Sequence, residues 1–184
     1  MENGIKEYLK QRDICLIGFM GSGKSFTGDY LTKELNLQLI ETDAIIEQQV
    51  GMTIPQIFKE NGEKYFRKLE HNLLQDIVFG KKTESRIISM GGGMPISQAN
   101  RKLIKILNSL NICLNPPFQV IFDRIMGSKR PLVYRKSRKS VFRLWAERYD
   151  VYQKIAHVTI SEVALDEVIH SLSERLKLLI NIKN

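Results

Sequence analysis

The chain has 184 residues, of which 43% are hydrophobic and 26% are charged, and its formal net charge is +8. These values are ordinary for a globular protein, and the length fits one domain with its own core. No run of about 18 apolar residues occurs, and residues 1–12 are polar and mixed in charge, which argues against a membrane span and a signal peptide. We therefore expect a soluble, cytoplasmic protein.

Strand and helix patterns alternate along the whole chain. Strands are predicted over residues 14–18, 37–41, 86–90, 111–114 and 157–160. Helices are predicted over residues 25–35, 43–50, 54–60, 64–79, 98–107, 118–126, 139–153 and 165–179. This alternation is typical of an α/β fold, here a five-stranded parallel sheet flanked by helices, in which ligands bind beyond the carboxyl ends of the strands.

The cysteines and histidines do not suggest a metal site. Cys15 and Cys113 each lie in a short apolar stretch, so we expect buried free thiols and no disulfide. The three histidines, His71, His157 and His170, are scattered and lack the spacing of zinc ligands.

Residues 18–25 read GFMGSGKS and match the phosphate-binding pattern G-x-x-x-x-G-K-[ST] at every fixed position. The motif follows a predicted strand and begins a predicted helix, so a helix N-terminus points at the bound anion. Lys24 can reach the β and γ phosphates, and the Ser25 hydroxyl can bind Mg²⁺. We expect a nucleotide site, the alternative being a glycine-rich turn that binds nothing. The expected contacts are Gly21, Ser22, Gly23, Lys24, Ser25 and Phe26.

Two carboxylates follow the second predicted strand. If that strand continues far enough, Glu41 and Asp43 lie on one face of it. One could serve Mg²⁺ through water, and the other could hold the hydroxyl that accepts the phosphoryl group. The alternatives are a solvated strand end for Glu41 and a helix N-cap for Asp43.

Three consecutive glycines, Gly91, Gly92 and Gly93, follow the third predicted strand. Such a run is costly in chain entropy unless a ligand must touch bare backbone, although a tight turn is the alternative. On the preceding helix Arg67 and Glu70 are three residues apart and can touch. They form either an exposed pair of little energetic value or a guanidinium oriented toward an anionic substrate.

Residues 127–138 separate two predicted helices and are polar and basic. Such a connection serves as a lid in many enzymes, with a plain surface loop as the alternative. Basic residues continue beyond it, and a solvated face is the default interpretation of most of them. The net charge of +8 attracts anions, among them ATP, a carboxylate substrate and nucleic acid. The basic residues are Lys129, Arg130, Arg135, Lys136, Arg138, Lys139, Arg143 and Arg148.

Taken in this order, the motifs resemble those of the shikimate kinase family, a small member of the nucleoside-monophosphate-kinase-like group of P-loop folds. The resemblance covers nearly the whole chain. The segments that carry it are residues 18–25, Glu41-Thr42-Asp43, Phe66-Arg67-Lys68-Leu69-Glu70, Gly91-Gly92-Gly93, Arg130-Pro131-Leu132 and Glu147-Arg148-Tyr149.

The resemblance implies a three-layer P-loop domain over residues 1–184, with a substrate-binding helical region near 43–80 and a lid near 127–138. It implies ATP-dependent phosphorylation of the 3-hydroxyl of shikimate, with Mg²⁺, in a protein that is a monomer without nucleic-acid partners. The implied roles are a catalytic or positioning carboxylate at Asp43, a carboxylate clamp of Arg67 and Arg148, support of Arg67 by Glu70, and a pocket lining of Gly91, Gly92 and Gly93. Lys24 and Arg130 would act on the phosphates, Arg124 on adenine, and Ser25 and Glu41 on the metal.

The chain departs from the family at three places. The family usually carries Asp at the position of Glu41, and the longer side chain keeps the charge while changing its reach. Residues 161–165 replace a turn with Ser-Pro that holds adenine, and residues 115–118 replace a more acidic strand end. Another small-molecule kinase of the same fold, such as a gluconate kinase, and a nucleic-acid-binding P-loop protein are the competing hypotheses.

Overall fold

All five strands lie in one parallel sheet in the computed structural model, which describes residues 12–128 and 130–181. The sheet order is β2-β3-β1-β4-β5. The strands are β1 (Asp13–Ile17), β2 (Gln38–Glu41), β3 (Arg86–Ser89), β4 (Ser109–Leu114) and β5 (Val158–Ile160). The predicted five-stranded parallel sheet is therefore confirmed. Lys129 and nearly all of the polar segment 1–12 lie outside the described residues.

Helices connect the strands, as predicted. They are α1 (Lys24–Leu35), α2 (Thr42–Val50), α3 (Ile54–Phe79), α4 (Gln98–Ile106), α5 (Phe118–Ile125), α6 (Arg138–Ile155) and α7 (Leu165–Asn181), with a 3₁₀ turn at Met94–Ile96. The predicted helices 54–60 and 64–79 join in α3, where Gly62 at φ 81 breaks the helical geometry. Glycine takes that left-handed conformation without a Cβ penalty, which explains why the chain can turn there.

Two apolar layers cover the two faces of the sheet. Successive residues of β1 alternate between them: Cys15 and Ile17 pack in one layer, and Ile14 and Leu16 in the other. Every residue of β1 is buried, as expected of a central parallel strand with both faces covered. The result is a three-layer sandwich with its core on both sides of the sheet. Cys15 and Cys113 are both buried within it.

The carboxyl ends of the central strands meet at one edge of the sheet. Glu41 at the end of β2 pairs with Ser89 at the end of β3, and Ser89 pairs on its other side with Leu16 of β1. The phosphate loop, the two carboxylates and the glycine run therefore leave the sheet side by side. Within residues 12–128 and 130–181, no helix has the length and apolar character needed to cross a membrane.

Candidate active site

The phosphate loop connects β1 to α1 and is folded around the Lys24 side chain. Lys24 Nζ donates hydrogen bonds to the carbonyl oxygens of Gly18 (2.9 Å) and Phe19 (3.0 Å). Burial lowers the pKa of Lys24 to about 8, while the Asp43 carboxylate opposes that fall. A partly desolvated ammonium held at the loop is ready to exchange carbonyl oxygens for phosphate oxygens.

The loop also holds an unsatisfied hydroxyl. Ser22 Oγ is buried without a hydrogen-bond partner among the described residues. Gly23 has φ 102, a left-handed conformation that side chains disfavour, and it directly precedes α1. These features fit a cradle that is completed by an anion at the helix N-terminus.

The two carboxylates occupy different elements. Glu41 ends β2, as predicted, and Asp43 is the second residue of α2, so the strand does not continue far enough to place both carboxylates on one of its faces. The helix starts at Thr42, and Asp43 is therefore not the N-cap. Burial raises the pKa of Asp43, against the lowering effect of the nearby Lys24. Burial also raises the pKa of Glu41, whose Oε1 is buried without a hydrogen-bond partner among the described residues.

The glycine run forms a turn between β3 and the 3₁₀ turn. A Cβ on Gly91 would collide with the Asp43 carboxylate, and a Cβ on Gly93 would collide with the guanidinium of Arg67. A side chain at either position would therefore displace the Asp43 carboxylate or the Arg67 guanidinium from its observed place. The tight turn alone does not account for the two glycines.

Arg67 lies between two carboxylates on α3. Its Nη1 donates to Glu70 Oε2 at 2.6 Å, and its Nη2 donates to Glu63 Oε1 at 2.7 Å. The predicted contact with Glu70 is present, but the partner Glu63, four residues before Arg67, was missed although its spacing is a standard signal. Glu70 is 1% exposed, and burial raises its pKa to about 7 despite the adjacent Arg67.

Arg148 enters the same region from α6. It is buried, its guanidinium carbon lies 5.7 Å from the ring centre of Phe19, and its Nη1 lies 3.4 Å from the Gly92 carbonyl oxygen. Tyr152, one turn later, donates a hydrogen bond of 2.5 Å to the same oxygen. The sequence predicted no part for Tyr152 in the site.

Part of the cleft lies between α5 and the turn after β5. Arg124 Nη1 donates to Gly21 O at 3.3 Å, and its Nη2 donates to Val163 O at 3.4 Å. Arg124 therefore spans the phosphate loop and the segment that departs from the family pattern. Phe26, 62% exposed, lies at the first turn of α1 on the lip of the cleft.

The connection between α5 and α6 folds partly onto the body of the protein. Val133 is buried in the core, and its N–H donates to the Arg130 carbonyl oxygen at 3.1 Å. Arg130 is exposed, yet it lines the cleft together with Pro131 and Leu132. Lys136 is exposed and does not line the cleft.

One cleft of about 810 Å³ collects all these groups. Every residue that the sequence predicted for the site lines it, from Gly21 to Phe26 through Glu41, Asp43, Arg67, Glu70, Gly91 to Gly93, Arg124, Arg130 and Arg148. An apolar wall of Ile54, Pro55, Phe58 and Phe66 was not predicted. These side chains look like ordinary core positions in the helical pattern, so the sequence offers no signal for their second role.

The sheet order, the phosphate loop and the converging helices define a P-loop protein of the nucleoside-monophosphate-kinase-like class. A family profile described as Shikimate kinase matches residues 20–177. A shikimate kinase from Clostridium botulinum (strain Alaska E43 / Type E3) is 35% identical over 169 residues, which cover 91% of this chain and 97% of the relative.

Solved structures of shikimate kinases align with this chain over most of its length. Shikimate kinase from Aquifex aeolicus aligns with a TM-score of 0.75 and 34% identity over 90% of this chain and 96% of that one. Shikimate kinase from Acinetobacter baumannii in complex with shikimate aligns with a TM-score of 0.83 and 25% identity over 96% of this chain and 98% of that one. The chain belongs to the shikimate kinase family.

Proposed function

We propose that this protein transfers the γ-phosphoryl group of ATP to the 3-hydroxyl of shikimate, giving shikimate 3-phosphate and ADP. The observation that carries the proposal is the layout of the cleft. A phosphate loop, two arginines (Arg67 and Arg148) and the Asp43 carboxylate, which lies beside bare glycine backbone, line the same cleft. That layout fits an acceptor with a carboxylate and a hydroxyl.

The phosphate loop would bind the triphosphate. Lys24 would give up its two carbonyl contacts for phosphate oxygens, and the amides of residues 21–26 would surround the phosphates. Arg124 would lie against the adenine, since it borders the loop at Gly21 and the turn at Val163.

Arg67 and Arg148 would bind the carboxylate of shikimate. A guanidinium offers a planar pair of donors that matches a carboxylate. Glu63 and Glu70 hold Arg67 by hydrogen bonds of 2.7 and 2.6 Å, which limits its rotamers before substrate binds. Arg148 is confined by burial beside the Phe19 ring, and its one long contact, 3.4 Å to the Gly92 carbonyl oxygen, leaves its donors available. The clamp is therefore largely formed in advance, which lowers the entropy cost of binding.

Asp43 would hold the acceptor hydroxyl and accept its proton. Its carboxylate lies beside Gly91 of the glycine turn and interacts electrostatically with Lys24 of the phosphate loop, so it is near both. Burial raises its pKa, which makes the carboxylate a better proton acceptor. Arg130 would add positive charge at the transferring phosphoryl group from the connection between α5 and α6.

Mg²⁺ fits two residues at the end of β2 and the start of α1. The Glu41 Oε1 atom is buried and unpartnered among the described residues, and the Ser25 hydroxyl lies close enough to Glu41 to lower its pKa. Hard oxygen donors of this kind, with water and phosphate, are what Mg²⁺ prefers. When bound, the ion would neutralise charge on the β and γ phosphates.

A coupled ADP-release assay tests the function. Shikimate, gluconate and nucleoside monophosphates are compared side by side with ATP and Mg²⁺ at equal concentrations. We expect fast ADP release with shikimate alone. Release with gluconate or a nucleoside monophosphate in place of shikimate would reject the proposal and favour another kinase of the fold.

Three narrower expectations stay predictions: a monomer, a cytoplasmic location and no nucleic-acid partner. Affinity for nucleic acid would fall steeply with salt, because binding releases counterions. A binding titration at two salt concentrations therefore tests the last of them.

A further inference from the structure

Two buried hydroxyls hold the glycine turn from opposite sides. Thr42 reaches it from the start of α2, and Tyr152 reaches it from α6. They bind successive residues of the turn, Gly91 and Gly92. Both side chains are almost completely buried, with exposures of 0% and 1%.

Thr42 connects the turn to the carboxylate that follows it in sequence. Its Oγ1 accepts the N–H of Gly91 at 2.8 Å and donates to the Ser89 carbonyl oxygen at 3.2 Å. Asp43 is the next residue, and its carboxylate lies against the Cα of Gly91. The Thr42 hydroxyl thus fixes the distance between Asp43 and the turn.

Tyr152 connects the turn to the arginine one helical turn before it. Its hydroxyl donates to the Gly92 carbonyl oxygen at 2.5 Å, while Arg148 Nη1 lies 3.4 Å from that same oxygen. Burial raises the pKa of Tyr152, so the hydroxyl keeps its proton at neutral pH. The tyrosine therefore satisfies the carbonyl oxygen and leaves the Arg148 guanidinium only weakly engaged by it.

We propose that Thr42 and Tyr152 are positioning residues that divide the work of the site, Thr42 setting the placement of Asp43 and Tyr152 keeping Arg148 free for the substrate carboxylate. The inference rests on the proposed function, since it assigns one end of the turn to the acceptor hydroxyl and the other to the carboxylate. Neither side chain lines the cleft, so each acts through its neighbour.

These two roles predict that two nearly isosteric substitutions change different kinetic parameters, one kcat and the other KM for shikimate. Thr42→Val leaves Gly91 N–H and Ser89 O unpaired, which lets Asp43 shift from the acceptor hydroxyl. We expect kcat to fall about 10- to 100-fold with KM for shikimate nearly unchanged, because small misplacements of a reacting group are costly. Tyr152→Phe removes the donor to Gly92 O, so Arg148 turns toward that oxygen. We expect KM for shikimate to rise about tenfold with kcat nearly unchanged.

Steady-state kinetics with varied shikimate at saturating ATP measure both parameters. Thr42→Ser keeps the hydroxyl and should restore kcat. Thr83→Val and Tyr65→Phe are the matched controls, since both residues are exposed and neither lines the cleft. Circular dichroism and thermal unfolding check that each variant is folded. If Thr42→Val does not fold, Thr42→Ala, which leaves room for water beside the two backbone groups, takes its place.

The split between kcat and KM supports the proposal. The proposal is overturned if both variants change the same parameter equally, or if neither has an effect in folded protein. It is also overturned if Thr42→Ser is as impaired as Thr42→Val. ADP release by the unsubstituted protein distinguishes rejection of this proposal from rejection of the proposed function. If the unsubstituted protein releases no ADP with shikimate, the proposed function is rejected. If it is active but the two variants do not affect kcat and KM separately, only the proposed roles of Thr42 and Tyr152 are rejected.

Discussion

Lys24 has a pKa that the fold brings near the physiological range. Burial lowers it to about 8, so at pH 8 about half of the side chains are neutral without ligand. Phosphate oxygens stabilise the charged form and raise the pKa. Lys24 should therefore contribute an uptake of about half a proton to ATP binding at pH 8, and almost none at pH 6.5. Calorimetry in two buffers that differ in ionisation enthalpy measures the uptake at each pH.

A matched variant isolates this effect from protonation elsewhere. Lys24→Arg keeps a cation that stays protonated in this range, so its uptake should not grow between pH 6.5 and 8. If the unchanged chain shows the same heat in both buffers at pH 8, the lowered pKa plays no part in nucleotide binding.

Substitution of Arg67 tests whether Arg67 and Arg148 bind the substrate carboxylate. Lysine cannot reproduce the planar pair of donors that Glu63 and Glu70 orient, so Arg67→Lys should raise KM for shikimate about tenfold and leave KM for ATP nearly unchanged. Arg143→Lys, at an exposed position of α6, is the control and should behave like the unchanged chain. A shikimate dependence that does not change would make Arg67 a partner of the two carboxylates only.

At the scale of residues, local patterns predicted the groups that a motif or a helical spacing marks. The contact of Arg67 with Glu70 followed from a separation of three residues, and it is observed. The contacts of Thr42 and Tyr152 with the glycine turn join residues 49 and 60 positions apart. Only the folded sheet edge brings them together, so no sequence spacing could have indicated them.

The connection between α5 and α6 is the element most open to test. Arg130 lines the cleft from it, whereas Lys136 does not. If closure of this segment delivers Arg130 to the moving phosphoryl group, Arg130→Ala should lower kcat about 10³-fold and leave ATP affinity, measured by calorimetry, nearly unchanged. Lys136→Ala should be nearly silent in both assays. Equal effects of the two substitutions would mean that the segment contributes only a diffuse positive charge.

Element boundaries were predicted well where glycine or a buried run marks them. The break between helices 54–60 and 64–79 falls at Gly62, as the sequence indicated, and it is a kink between the two helical parts of α3. The strand predicted over 111–114 begins at Ser109, because Ser109 and Asn111 pair through their side chains at 2.8 Å and so tolerate burial. The pattern of polar and apolar residues in a sequence does not show such a side-chain hydrogen bond.

The two ends of the strands differ, since the carboxyl ends border the cleft and the amino end of β1 carries a buried ion cluster. At the amino end of β1, Asp13 is fully buried and bonded to Arg86 at 2.8 Å and Lys82 at 3.0 Å. Removal of a buried charge that holds two cations is costly, so Asp13→Asn should lower the free energy of unfolding by about 3 kcal/mol. Chemical denaturation measures this value.

The same variant separates stability from chemistry. Asp13 lies at the end of β1 away from the cleft, so kcat and KM of the folded Asp13→Asn protein should be nearly unchanged. Asp29→Asn, an exposed carboxylate on α1, is the control and should change the unfolding free energy by less than about 0.5 kcal/mol. Equal stability of the two variants would contradict the assigned role of Asp13.

For the whole molecule, alternation of strands and helices predicted the parallel sheet and the edge at which the site lies. It did not predict the charged strand end at Asp13, because its compensating cations lie 69 and 73 residues away in sequence. Nor did it predict the apolar wall opposite the phosphate loop. Both depend on contacts between residues that only the folded chain brings together.

Identification of the reaction product tests the central claim most directly. The protein is incubated with ATP, Mg²⁺ and shikimate, and the mixture is analysed by ³¹P and proton magnetic resonance. We expect equal amounts of ADP and shikimate phosphorylated at the 3-hydroxyl, and neither product with Lys24→Ala. ADP without phosphorylated shikimate, or a phosphoryl group on another hydroxyl, would contradict this expectation.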